Sequence, residues 1–216
     1  MNGWVELLGK RVGTVPTRGR SAGRHLGRVT ARWRARTVAA VMLAGCAFAV
    51  LPSRALAQAS REYDVKAALL FNFTRFVEWP ADAFAQPDTP VVIGVLGNDP
   101  FGPVIDEIVR HETWAGRSIT VERFRNVEAA RNCQILFVGA SEAANLPRIL
   151  RVVRGRPILT VGDFEGFGLR GGMIRLMKDT AGKIQLRINL EELKTSGLIV
   201  SAKLLRVAEV VGVAGR

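Results

Sequence analysis

The spacing of hydrophobic residues changes style along this chain, and each style predicts a different kind of segment. Between Thr37 and Leu51 the run TVAAVMLAGCAFAVL is almost wholly apolar. From Glu62 to Trp79, in EYDVKAALLFNFTRFVEW, apolar residues recur at helical spacing, which places Val65, Leu69, Asn72 or Phe73, and Phe76 on one face. Pro80 restricts Trp79 and predicts the end of that helix. PVVIGVL at 90–96 is a short β-branched run, apolar at odd and even positions alike, as in a parallel strand buried on both faces. Asp99 and Pro100 then predict a helix start, with Val104, Ile105 and Ile108 continuing an apolar face to Arg110.

The alternation repeats: a strand near 118–124, a short helix near 127–130, a strand at 134–139, a helix at 143–153 and a strand at 157–162. Strands alternating with helices imply parallel pairing through right-handed crossovers. The last third reads differently. Met173 to Met177 and Lys183 to Asn189 flank Asp179-Thr180-Ala181-Gly182, and Ile184, Leu186 and Ile188 alternate with Gln185, Arg187 and Asn189, which predicts a hairpin with one wet face. Asn189 with Glu192 resembles a capping arrangement that opens a short helix stopping near Ser196-Gly197. A final helix from Ser201 carries Leu204, Leu205 and Ala208. The predicted fold class is α/β, a layered and mostly parallel sheet flanked by helices, with a C-terminal β-hairpin and short helices. No internal repeat or linker-like stretch interrupts 58–216, so one domain is expected there.

Charge changes the picture once it is located. The whole chain carries +12, which taken alone suggests a nucleic-acid binder. Yet residues 1–57 hold ten of the 31 Lys and Arg and a single acid, Glu6, leaving the other 159 residues at only +3. The Arg-rich front, the apolar run and the small-residue exit Ala55-Leu56-Ala57 together read as an export signal cleaved between Ala57 and Gln58. The run is about 15 residues, short of the roughly 20 that cross a bilayer as a stable helix. Leu43-Ala44-Gly45-Cys46 also has the form of a lipoprotein box; acylation of Cys46 would move the chain to a membrane surface without altering the domain. Nucleic acid is not an expected partner.

Candidate chemistry is sparse. Gly166-Phe167-Gly168-Leu169-Arg170-Gly171 spells a dinucleotide fingerprint, but Gly171-Gly172 runs on toward a strand instead of opening a helix, so a loop is expected and no cofactor. His111 is the one histidine beyond residue 57 and reads as a solvated helix-end residue. Cys133 reads as a buried, inert thiol, and a metal site would need more His and Cys than remain. Asp106 with Glu107, Asp163 with Glu165, and Glu191 with Glu192 are explained by solvated faces and caps. Arg148, Arg151, Arg154 and Arg156 form a local positive patch of the kind common at exposed helix ends, or one that meets an acidic partner. The loop Asp163 to Arg170 stands out: Phe164, Glu165, Phe167, Leu169 and Arg170 follow a strand end, where α/β sheets present binding groups. Its phenylalanines either fold back on the core or anchor a partner.

Lys66-Ala-Ala-Leu-Leu-Phe-Asn-Phe-Thr-Arg-Phe-Val-Glu-Trp-Pro80, Cys133-Gln-Ile-Leu-Phe-Val, Leu159-Thr-Val-Gly-Asp-Phe-Glu-Gly-Phe with Gly171-Gly-Met-Ile, Ile188-Asn-Leu, Gly197-Leu and Ser201-Ala-Lys-Leu-Leu are specific when taken together. On these residues the chain resembles the YfiR family of periplasmic regulators over essentially all of 60–210. The resemblance implies a non-enzymatic α/β domain, often a homodimer. Such a domain binds the periplasmic sensor part of an inner-membrane diguanylate cyclase and represses it, so that cyclic di-GMP synthesis and biofilm formation rise on release. Family members with disulfides are thought to respond to redox state; here Cys133 lacks a partner beyond residue 57, leaving an intermolecular bond as the thiol-based route. The alternative is a periplasmic module for a small ligand, with Phe164 to Arg170 as one wall of its pocket.

Overall fold

The computed structural model describes residues 61–211. The expected cleavage point at Ala57 and Gln58, and the box at Cys46, lie outside the described residues.

The predicted parallel strands form because their side chains are apolar on both faces. Strands β2 (Val91–Leu96), β5 (Ile135–Val138) and β6 (Leu159–Gly162) are the middle of an eight-stranded sheet, and every residue of β5 and β6 is buried. With β1 (Val77–Glu78), β3 (Thr113–Trp114), β4 (Arg117–Phe124), β7 (Ile174–Lys178), β8 (Ile184–Asn189), β9 (Ile199–Val200) and β10 (Ala208–Val211), the order across the sheet is β10-β8-β7-β6-β5-β2-β4-β3. All neighbours in it are parallel except the hairpins β7/β8 and β3/β4, while β1 and β9 form a separate antiparallel pair. The fold is therefore the expected layered α/β arrangement.

Alternating side chains feed two cores, one per face. Ile93, Val95, Ile135, Phe137, Leu159 and Val161 join the larger, which is covered by helix α1 at 61–76, α2 (Val104–Val109), α4 (Leu190–Thr195) and α5 (Ala202–Val207). Leu96, Leu136 and Val138 join the second, under α3 (Leu146–Val153) and the short 3-10 turn Ala129–Asn132.

Helix α1 presents a different stripe from the expected one. Ala67, Leu70 and Phe73 are fully buried, whereas Val65 is 49% exposed. The segment is apolar around more than half its circumference, so periodicity alone does not choose between stripes about 100° apart. The helix also stops at residue 76, not at Pro80. Val77–Glu78 pairs with Ile199–Val200, and the Ser201 amide donates to the Phe76 carbonyl at 2.9 Å. Asp99 caps a turn instead of a helix: its Oδ1 accepts from the amides of Phe101 (2.7 Å) and Gly102 (3.3 Å), and Gly102 at φ 54° delays α2 to Val104.

The hairpin of β7 and β8 forms as expected, its turn held by Asp179 Oδ1 accepting from Ala181 and Lys183 amides, both at 2.9 Å. Asn189 Oδ1 accepts from the Glu192 amide at 3.3 Å, which is the predicted cap. Ala208 is not helical: Ala208–Val211 leaves α5 as β10 and pairs in parallel with β8. Its Ala-Glu-Val-Val sequence suits a strand once an open edge is available.

The two stripes of α1 are distinguished by stability. Leu70→Ala should cost about 2–5 kcal/mol in urea unfolding, and Val65→Ala should stay within about 0.5 kcal/mol of wild type; the reverse order would place the helix in the other rotation.

Candidate functional site

The loop after β6 is built from the sheet outward. Gly162 and Gly172 flank it, and the ring of Phe167 lies over both; a Cβ on Gly162 would meet the Phe167 ring at 2.5 Å. Phe167 is accordingly 0% exposed and belongs to the second core. Of the two places open to it, Phe167 takes the one on the core and is not an exposed anchor: two glycines leave a flat bed beside the sheet, and the ring fills it. Phe164, half-buried, packs edge-on against Phe167 with centroids 5.3 Å apart at 85°.

The remaining predicted residues face solvent. A single 3-10 turn, Gly168–Arg170, lifts Leu169 to 85% exposure, and Glu165 and Arg170 are exposed with it. Asn189 Nδ2 donates to the Gly168 carbonyl at 3.1 Å, and Arg170 Nη2 donates to the Ala143 carbonyl at 2.8 Å. Gly171, at φ 100°, turns the chain into β7. The glycine-rich segment thus leads to a strand, and an apolar side chain stands out on a loop pinned at both ends.

At the start of the loop lies a group that sequence reasoning missed. Lys66 Nζ sits 2.8 Å from Asp163 Oδ2 and 2.7 Å from Glu62 Oε1, with the Lys66 and Asp163 side chains only 4% and 6% exposed. Lys178 Nζ reaches the other Glu62 oxygen at 3.0 Å. Two bases and two acids therefore join α1, the first residue after β6 and the end of β7. Asp163 is not on a solvated face as expected; the missed signal is a lysine i+4 from Glu62 on a helix that must be buried somewhere. Tyr63 completes the cluster, with Lys66 Nζ 4.5 Å from its ring centroid and Phe101 edge-on at 5.8 Å. Burial, and then the nearby Asp163 carboxylate, push its phenol up to about 12. Burial alone would raise the Glu62 carboxyl, but its bonds from Lys66 and Lys178 outweigh that and hold it below the ordinary value.

The other candidates stay apart. His111 is exposed at the turn after α2, in a left-handed conformation at φ 66°. Cys133 is buried, its thiol donates to the Ala130 carbonyl at 3.0 Å, and burial pushes it up to about 12, so it stays protonated and unreactive. Among the described residues no group of three His, Cys, Asp or Glu is placed to hold a metal ion. Asp106 is held below the ordinary carboxylate range by hydrogen bonds from Arg123, at 2.6 and 2.8 Å. Of the basic patch, Arg148 pairs with Glu128 and Arg154 with Glu192.

Removing Lys66 leaves two carboxylates without their shared cation. Lys66→Ala should cost about 3–5 kcal/mol in denaturant unfolding, and Lys66→Met with Asp163→Leu should recover part of that loss. Glu62 titrates below its unfolded value of 4.5, so its contribution is complete above about pH 4.5 and fades as the pH falls through the lowered folded value. Acid unfolding followed by circular dichroism should therefore show a shallower loss below pH 4.5 for Glu62→Gln than for wild type; identical profiles would remove Glu62 from the network.

Comparison with known proteins adds the family. No curated protein matches the chain. A crystal structure of a conserved domain protein from Vibrio cholerae O1 biovar El Tor is similar at 13% identity and a TM-score of 0.40. That similarity covers 55% of this chain and 54% of the other, so it spans about half of that protein's length. Residues 63–209, well over half of the chain, match the family described as YfiR/HmsC-like. The match takes in α1 from Tyr63 onward, the whole of β1 to β9 and the loop with Lys66, Asp163 and Lys178, and so the chain belongs to the YfiR/HmsC-like family, a family of periplasmic regulators in diguanylate cyclase signalling.

Proposed function

We propose that residues 1–57 direct export and are removed, and that 58–216 form a single periplasmic domain that represses a membrane-bound diguanylate cyclase by binding its periplasmic sensor part. Repression by binding needs preference for one conformation of the partner and no chemical step. Moving a two-state equilibrium from mostly active to mostly inactive takes about 5.5 kcal/mol of differential affinity, within reach of a modest interface with a few well-seated apolar contacts.

One observation carries the choice of surface. Leu169 is 85% exposed on a loop whose floor is fixed by Phe167 and whose neighbours are tied by Asn189 and Arg170. An apolar side chain held out on a short, anchored turn loses little conformational freedom on docking, which favours affinity. Phe164, Glu165 and Arg170 frame it as the rest of the contact, with Phe167 acting from beneath as support. Acylation at Cys46 would place the same surface at a membrane, and a homodimer would present it twice. A small ligand as the occupant of this loop has less support, because the cavity beside it at Gly171, Met173 and Glu192 offers about 20 Å³, room for roughly one water.

Leu169→Asp should weaken capture of a cyclase periplasmic segment by at least tenfold, about 1.4 kcal/mol, with no change in thermal midpoint. Phe167→Ala should instead lose about 3–5 kcal/mol of stability. Wild-type binding by Leu169→Asp in a pull-down, together with unchanged cyclic di-GMP in cells carrying it, would remove this loop from the interface. No capture by the wild-type protein, and no change in cyclic di-GMP on its deletion, would remove the repressor reading itself.

A further inference from the structure

At the opposite ends of the same strands, three chain segments enclose a second feature. The approach to β2, the residues before β5 and the residues before β6 surround a cavity of about 320 Å³, whose lining includes Asp82, Thr89, Arg131, Asn132, Arg156 and Pro157. This volume is at the lower end of the range for small-molecule sites, roughly 300–1,000 Å³.

The walls are held by one buried amide. Gln134, 2% exposed, accepts from the Val92 amide at Oε1 (2.8 Å) and donates from Nε2 to the Ala83 and Asn132 carbonyls (3.1 and 3.3 Å). Its own backbone carbonyl accepts from the Trp79 indole at 3.3 Å. The segments before β2 and β5 are tied by this side chain, and the start of β6 by the Leu159 amide, which donates to the Gln134 carbonyl at 2.8 Å, so the cavity's shape is set before any ligand arrives, which lowers the entropic cost of filling it. The tie also consumes the side-chain donors of Gln134, leaving recognition to the groups around it. Cys133 lines the cavity too, but its thiol is turned to the Ala130 carbonyl and is not placed to react.

Those groups are unevenly charged. Arg131 and Arg156 both line the cavity and both are exposed. Among the described residues neither makes an ion pair, so both are free to meet a ligand. Asp82 is the one carboxylate in the lining, so the two guanidinium groups outnumber it. Guanidinium forks match the paired oxygens of carboxylates and phosphates, and Asn132 adds a neutral donor.

The geometry points to a binding site for a small oxyanion, the carboxylate or phosphate group of a metabolite, with Arg131 and Arg156 as its recognition groups. The site lies at the amino ends of β5 and β6, whereas the loop of Phe164 to Arg170 follows the carboxyl end of β6. It is therefore separate from the surface assigned to the partner, and it stands whether or not that assignment does.

Calorimetric titration of the purified protein at low ionic strength, with inorganic phosphate and separately with citrate, tests it. Saturable binding of at least one probe in the millimolar range or tighter is expected, and which probe binds tells phosphate from carboxylate. Arg131→Ala and Arg156→Ala should each weaken it by about tenfold, the size of a lost charge-assisted hydrogen bond. Arg156→Lys should weaken it less, while Asp82→Asn should tighten it by up to about fivefold by removing a like charge. The site is refuted by the absence of saturable heat with both probes, or by unchanged affinity in an Arg131→Ala, Arg156→Ala double variant whose circular dichroism matches wild type. Weakening by Asp82→Asn would equally overturn the anionic assignment.

Discussion

Burial of the central strands on both faces is the constraint from which the rest of this domain follows. Every side chain of β5 and β6 is enclosed, so cover must come from both sides of the sheet. On one side α1 and α2 supply it with Leu70, Phe73 and Ile105; on the other, α3 supplies Leu146, Ile149 and Val153. The second face runs out of helix near the end of β6, and there Phe167 from the following loop completes the layer. Closing the core in this way also fixes a loop that would otherwise be free to move.

The charged cluster at the start of that loop is a different kind of constraint. Taking Lys66, Asp163 and Glu62 out of water costs several kcal/mol per ion, and their attraction offsets this only when geometry and partners are good. Here each carboxylate lies 2.7 to 3.0 Å from an ammonium, and the two bases and two acids balance. Such pairs are a weak source of net stability, whereas removing one partner is strongly destabilising. A shift of α1 by one residue would strand Asp163 without its cation.

Regulation by surface contact is consistent with how the polar groups are spent. Asp106 and Asp99 are engaged with Arg123, Asp179 holds a turn, and the Cys133 thiol is sealed in the second core. These groups hold elements together. Leu169, the most exposed of the large apolar side chains among the described residues, projects at one end of the sheet, and Arg131 and Arg156 are exposed at the other.

Much of the framework was legible from residues alone. The β-branched runs at 90–96, 134–139 and 157–162, the alternation at 184–189, and Asn189 three residues before Glu192 each state a local preference that the tertiary fold keeps, because period and capping chemistry act over a few residues. The family resemblance was legible for a related reason: its motifs coincide with those local signals. Three features were not legible: which stripe of α1 turns inward, that Ala208 leaves a helix for an edge strand, and that Phe167 is floor while Leu169 is surface. The first two depend on a partner distant in sequence: Asp163 lies 97 residues from Lys66, and Leu186 sets the place of Ala208. The third depends on Gly162 and Gly172, close to Phe167 in the chain but able to make its bed only once β6 and β7 lie side by side. Local composition determines what each segment can become; long-range pairing alone decides which side of it meets water.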